Sequence, residues 1–377
     1  LSSMANETLK WETTEQIDLG LDLGFLDDRI GLTVDYYIKN TKDLLLKADI
    51  AASSGFSTAT LNVGQLKNTG WEITLETVNI KKKNFNWTSS LNFAFNKNTI
   101  VALNSGQERM FNAINWHNTF KTMNAYVSEV GAPAGQMYGY IYEGTYKLDE
   151  FDYDVATGKY TLKEGIPALG TSTQPGDPKY RDLVNVDTDG DGVADATDGK
   201  ITDADRTTIG NGHPVFVGGF TNNFSFYGFD LNIFFQWSYG NDILNANRIM
   251  FDNGYNQKWT NMYRSYKDRW TMDNPTSDTP RIGATNTLQY STRYVEDGSY
   301  LKLRNVTLGY TFPKKVLNKM NISNLRIYVS AENLGTITKY SGMDPEVSTR
   351  HSVLTPGFDW SAYPRAFSAS FGVNLTF

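Results

Sequence analysis

Apolar and polar residues alternate one for one along much of this chain, the pattern of strands whose successive side chains face opposite sides of a sheet. Nine segments carry it. The first sets Ile17, Leu19, Leu21, Leu23 and Phe25 against Gln16, Asp18, Gly20, Asp22 and Gly24. The second runs through Ile30, Leu32, Val34, Tyr36 and Ile38, the third through Trp71, Ile73 and Leu75, and the fourth through Phe85, Trp87, Leu91, Phe93 and Phe95. The fifth has Phe216, Phe220, Phe224 and Phe226, and the sixth Phe229, Leu231, Ile233, Phe235, Trp237 and Tyr239. In the seventh the apolar phase changes from Leu301 and Leu303 to Val306, Leu308, Tyr310 and Phe312, which predicts a bulge near Arg304 and Asn305. The eighth holds Leu325, Ile327, Val329 and Ala331, and the ninth Phe367, Ala369, Phe371, Val373, Leu375 and Phe377. These segments reach about 10 residues, longer than the 5 or 6 of soluble strands and matched to a tilted strand crossing a bilayer.

The connections alternate strictly between short and long. Short ones fall at Leu26 to Asp28, at Lys81 to Asn84, at Tyr227 and Gly228, and between Pro313 and Ser323. Long ones cover about 40–69, 98–211, 240–297 and 335–363. An outer-membrane barrel does this because its periplasmic turns are short and its extracellular loops long. The expected fold is therefore all-β, a transmembrane antiparallel β-barrel. The whole of 1–377 is read as one portion of a single barrel domain in the bacterial outer membrane, surrounded by lipid. Nine strands would leave two unpaired edges in lipid, so further strands are expected before Leu1.

Composition narrows the reading. No apolar run reaches 18 residues, which excludes helical spans but says nothing against a barrel, and the mean hydropathy of -0.43 is equally neutral. Aromatics form 14% of the chain, the bias of girdles at a membrane interface. A net charge of -6 without a basic stretch beyond Lys81 to Lys83 argues against nucleic acid as a partner, and zero cysteines exclude thiolate chemistry and disulfides. The start, Leu1 to Asn6, carries no signal peptide, so an exported protein has either lost it or begins upstream.

At this point particular stretches add to the pattern. Leu9-Lys10-Trp11-Glu12, Lys67-Asn68-Thr69-Gly70-Trp71-Glu72, Gly218-Gly219-Phe220-Thr221-Asn222, Phe235-Gln236-Trp237-Ser238-Tyr239-Gly240, Leu301-Lys302-Leu303-Arg304-Asn305 and Ala331-Glu332-Asn333-Leu334 resemble the SusC/RagA family of TonB-dependent outer-membrane transporters. The resemblance spans nearly the whole chain in family order. It implies a 22-stranded barrel, of which these would be the last nine strands, with a plug and TonB box lying outside this sequence. It also implies a SusD-like surface lipoprotein, energy from TonB–ExbB–ExbD, and import of an oligosaccharide or a peptide. A terminal strand ending in Phe377, at the periplasmic face by parity, fits the signal favoured by barrel-assembly machinery, although any amphipathic last strand could end so. The reading from another class is an adhesin or structural barrel without active transport.

Candidate chemistry is confined to the long connections. Asp187, Asp189, Asp191, Asp195 and Asp198 occupy positions 1, 3, 5, 9 and 12 of a calcium loop with Gly192 at position 6, although Asp replaces the usual final Glu. Ca2+ or a solvated acidic loop both fit, and Asp203 and Asp205 could complete or compete with such a site. Trp259, Tyr263, Tyr266 and Trp270 have helical spacing and predict a short helix with an aromatic face, for substrate or partner contact or for packing; Trp116, Tyr138, Tyr140 and Tyr142 invite the same two readings. His117, His213 and His351 fall in or beside the long connections without a nucleophile motif, and no enzymatic activity is expected.

Overall fold

The computed structural model describes residues 3–4, 9–49, 55–56, 58–62, 64–103, 107–186, 196–254, 261–318, 322–350 and 352–377. Nine strands form one antiparallel sheet in which each pairs with its neighbours in sequence. They are β1 (Thr13–Phe25), β2 (Ile30–Lys42), β3 (Gln65–Lys82), β4 (Phe85–Ala102), β5 (Phe216–Phe226), β6 (Phe229–Tyr239), β7 (Tyr300–Thr311), β8 (Asn324–Thr338) and β9 (Ser368–Thr376). The nine alternating segments are these nine strands. The third and fourth run much further than their alternation, to 18 residues each. Beyond Trp71 and Phe95 both faces turn polar, as at Lys67, Asn68, Asn96 and Asn98, so the period-two signal fades while the ladder continues.

The bulge is where the change of phase put it. Leu303 pairs with Gly335 and Asn305 with Glu332, which extrudes Arg304 on β7 and Asn333–Leu334 on β8, with Asn333 in the left-handed region at φ 54°. A second bulge extrudes Asn79, where the outward phase passes from Trp71, Ile73 and Leu75 to Ile80, a change that lies beyond the third alternating segment. At the short connections, Tyr227 and Gly228 have φ of 46° and 89°, the two positive values that a two-residue hairpin turn requires to match strand twist.

Register puts the apolar phase of all nine strands on one side. Leu19 pairs with Tyr36, Tyr36 with Trp71, and Trp71 with Phe95, and the rows below behave alike. That side is not covered by protein: Leu19 is 66% exposed and Phe371 69%. So large a continuous apolar surface is a membrane-facing one. Rings mark its two margins. Toward the long loops lie Tyr36 and Trp71 with centroids 4.7 Å apart, then Phe95, Phe216 and Tyr239 at 5.4 and 5.1 Å. Toward the turns lie Phe85 and Phe226 at 6.1 Å, and Phe229 and Tyr310 at 4.6 Å. Phe216 and Phe226 are ten steps apart, roughly 34 Å along the strand and about 24 Å along the normal at a 45° tilt, the height of a barrel's apolar band. Inside the band Asn222 is buried in the outward phase, and its Oδ1 accepts hydrogen bonds from Trp87 Nε1 at 3.0 Å and Ser89 Oγ at 2.8 Å, so this carbonyl is not left bare to lipid.

The protein-covered core lies in the long connections instead. Trp116, Phe120, Tyr126 and Met137 from the second connection pack with Leu244, Ile249, Tyr290 and Tyr294 from the third and Phe358 from the fourth. Short strands tie them together: Thr207–Asn211, Gln136–Gly139, Asn124–Glu129 and Arg109–Ala113 form one sheet, and Asp242–Asn245 joins Val295–Asp297 and Phe358–Asp359 in another. Fully burying each such side chain contributes about 1.5–3 kcal/mol. The loops thus cap the wall as one packed body.

Candidate functional site

The inward side of the wall is polar by the same alternation that makes the outward side apolar. Gln16, Asp18, Asp35, Tyr37, Lys39, Asn68, Glu72 and Asn96 line a groove of about 640 Å³ along it. Tyr37 donates to Asn96 Oδ1 at 3.0 Å, and Asn96 and Asn98 both donate to Asn68 Oδ1, at 3.3 and 2.9 Å. Two inward tyrosines lie flat over glycines on the next strand. A Cβ on Gly70 would stand 2.5 Å from the Tyr37 ring, and one on Gly372 2.2 Å from the Tyr328 ring. The rings therefore lie along the wall rather than across the space it bounds.

Charge on this face is uneven. Asp18, Asp22, Asp35, Glu72 and Glu76 share the inward phase of β1 to β3. Asp35 and Glu72 stand directly opposite each other, an arrangement that costs energy in any sheet and is kept here beside the groove. Thr33 donates to Asp22 at 2.6 Å. Nearer the turns, Arg326 grips Asp230 with two hydrogen bonds of 3.0 and 2.5 Å.

At the outer end, the fourth long connection is fastened to the wall through ions. Lys302, 3% exposed, donates to Asp344 Oδ1 at 2.8 Å and to Glu346 Oε2. Arg304, pushed out by the bulge, reaches Glu346 at 2.8 Å, and Arg365 lies 3.5 Å from it. Burial pushes both carboxyls up, but Lys302 outweighs it, helped at Asp344 by backbone N–H groups and at Glu346 by the two arginines; both stay below the usual carboxylate range.

Of the acidic-loop residues, Asp187, Asp189, Asp191 and Asp195 lie outside the described residues. Asp198 accepts from Lys200 N at 2.9 Å, and its own N–H donates to Val184. Asp205, which could have completed a metal site, is fully buried and committed elsewhere: it accepts from the backbone of Leu183 at 2.7 Å, Val184 at 3.1 Å and Thr202 at 2.7 Å. Burial raises its pKa, and these donors more than reverse that, so it stays ionised as a backbone clasp. Asp203 accepts from Tyr140. Among the described residues no cluster of three His, Asp or Glu side chains could hold a metal ion.

The aromatic segment differs from its expected form. Trp259 lies outside the described residues, and the chain after it forms a 3-10 helix over Arg264–Asp268 that turns extended at Arg269. The tighter turn and its early end direct Tyr266 and Trp270 inward, where they are 5% and 6% exposed; only Tyr263 is open, at 44%. Tyr266 donates to Pro280 O at 3.0 Å, and the Trp270 ring lies against Gly176, whose Cβ would stand 2.5 Å away. These two rings pack the cap, as do Trp116, which donates to Tyr290 at 2.8 Å, and Tyr138, under the Arg206 guanidinium at 4.7 Å. His117 and His213 bond backbone groups, and His351 lies outside the described residues. Phe377 follows β9 at the turn end of the wall, 83% exposed.

A family model described as "TonB dependent receptor-like, beta-barrel" matches residues 2–166. TonB-dependent receptor P3 of Formosa agariphila is 35% identical over 382 residues, an alignment covering 100% of this chain and 35% of that protein. TonB-dependent receptor SusC of Bacteroides thetaiotaomicron is 27% identical over 378 residues, covering 99% of this chain and 32% of SusC. The solved structure of the RagAB peptide transporter superposes with a TM-score of 0.78 at 27% identity, covering 100% of this chain and 37% of that one. The chain spans about a third of the length of these relatives.

Proposed function

Because the chain belongs to the SusC/RagA-type TonB-dependent receptors and forms outer-membrane β-barrel wall, we propose that it serves TonB-dependent import of an oligosaccharide nutrient. The observation that carries this is the inward groove. Its Asn, Asp and Tyr side chains offer hydrogen bonds at many points without a single deep pocket, as suits a polar solute passing along a wall. The Tyr37 ring, laid along the wall over Gly70, gives sugar faces a surface to slide over. Five inward carboxylates on β1 to β3 repel a polyanion, so neutral oligosaccharides are the favoured cargo and peptide the second choice, the latter supported by the RagAB likeness.

A SusD-like lipoprotein resting on the packed loop cap, and TonB–ExbB–ExbD acting from the periplasm, complete the proposed machine. No chemistry on the cargo is part of it. The test is uptake of labelled neutral, uronate-bearing and peptide cargoes by cells carrying the full-length protein, with and without functional TonB. TonB-dependent uptake led by the neutral oligosaccharide supports the reading. Attachment of cells to a surface without uptake of any cargo would instead make this an adhesin.

A further inference from the structure

Above the outer ring tier the wall has a gap. The ladder between β4 and β5 ends at the Ala94–Val217 pair, although β4 continues to Ala102. On that edge residues 96–98 therefore face not a strand but the chain that leads into β5. Between them lies a cleft of about 460 Å³, within the range of about 300–1,000 Å³ typical of small-ligand sites. Tyr36, Trp71 and Phe95 line one side, and His213, Pro214 and Val215 the other. Trp71 is 49% exposed, with Tyr36 tilted against it at 4.7 Å.

Lys97 also lines this cleft. It pairs with Thr69 on the outward phase, two residue pairs further from the bilayer centre than Trp71 and Phe95. Among the described residues no carboxylate pairs with it, in contrast to Lys302, Lys179 and Lys147 in the cap and its joint to the wall. The place of this free ammonium decides what it meets. Rings of the outer tier sit at the boundary between acyl chains and headgroups, so a cation two residue pairs above them stands among the headgroups of the outer leaflet. There the available counter-charge is lipid phosphate.

We propose that this cleft binds the phosphorylated sugar headgroup of an outer-leaflet glycolipid. Lys97 takes the phosphate, and Trp71 with Tyr36 packs against the face of the adjoining sugar. The His213 side closes the cleft toward the cap, with its Nε2 held 2.9 Å from Ala134 O. The site lies on the outward face and is independent of what the barrel imports.

The experiment is native mass spectrometry of the full-length protein extracted in detergent and delipidated. Three probes are added in turn: a phosphorylated diglucosamine lipid, its dephosphorylated counterpart, and a phosphatidylethanolamine. The proposal expects one copy of the phosphorylated glycolipid to survive activation that strips the other two. Lys97→Gln should lower its occupancy about fivefold, the loss of one lysine's attraction to a membrane-surface phosphate, and Trp71→Leu should lower it again while keeping the outward face apolar. Heat-modifiable gel mobility confirms that both variants are folded barrels. Equal retention of all three lipids would reduce the cleft to ordinary lipid contact and overturn the proposal. So would selective retention that is unchanged in Lys97→Gln.

Discussion

Replacing Lys302 by Met should release the fourth long connection from the wall without unfolding the barrel. Lys302 is almost fully buried on β7 and is the cation closest to both Asp344 and Glu346. Removing one partner of a buried ion pair costs about 3–5 kcal/mol, because the remaining charge stays desolvated. Glu346 would keep Arg304 at 2.8 Å and Arg365 at 3.5 Å, whereas Asp344 would keep only the backbone N–H groups of Glu346 and Arg365. The lower end of that range, about 3 kcal/mol, is therefore the expected cost, which corresponds to roughly a hundredfold rise in local opening. Hydrogen exchange of the full-length protein in detergent reads it directly, as lost protection of amides within 340–366 beside unchanged protection in β8. Adding Asp344→Asn to Lys302→Met should restore much of the protection, since the neutral amide leaves no stranded charge at 344 and its Oδ1 still accepts from the backbone. Protection within a factor of about three of wild type in Lys302→Met, or equal loss in β8, would refute the idea that this cluster is a local fastening.

Acid should open the same fastening. The folded-state pKa values of Asp344 and Glu346 lie below their ordinary carboxylate values, so the stability they contribute is present above the unfolded pKa and disappears as pH falls through the folded one. Protection in 340–366 is thus flat from neutral pH down to the ordinary carboxylate range and drops below it; a drop beginning above pH 6 would contradict the assignment. Asp205→Asn turns an amide NH2 toward backbone donors and should cost about 1.5–3 kcal/mol, read as faster proteolysis between 182 and 206; unchanged proteolysis would deny the clasp. Gly372→Ala drives a Cβ into the Tyr328 ring and should reduce the yield of folded barrel, with Tyr328→Ala restoring it; failure of that rescue would show that the ring is not the obstacle. Of the two readings of the 187–198 loop, Ca2+ binding expects a Ca2+-dependent rise in Tm that Asp187→Asn with Asp191→Asn abolishes; no such rise would leave it a solvated loop.

The wall was legible in the sequence because its rules are local. A strand alternates by its own geometry, and lipid outside against polar space inside turns that alternation into a printed pattern, even to the change of phase at Arg304. Short turns and long loops followed from the same reading. The printed pattern stopped where the membrane stops: β3 and β4 continue past Trp71 and Phe95 above the apolar band, where acyl chains no longer force apolar residues onto one face. The cap was not legible. Phe120, Tyr290 and Phe358 meet in one core from three connections, and Lys302 finds Asp344 and Glu346 more than forty residues away, contacts that no periodicity encodes. Tyr266 and Trp270 carried helical spacing yet became cap packing, because a 3-10 turn ended by extended backbone swung them inward. The sequence by itself determined which side of each strand meets lipid, since that depends only on neighbours one and two residues away. Which loop residues are buried, ionised or free was decided by tertiary structure, since it depends on what distant segments bring against them.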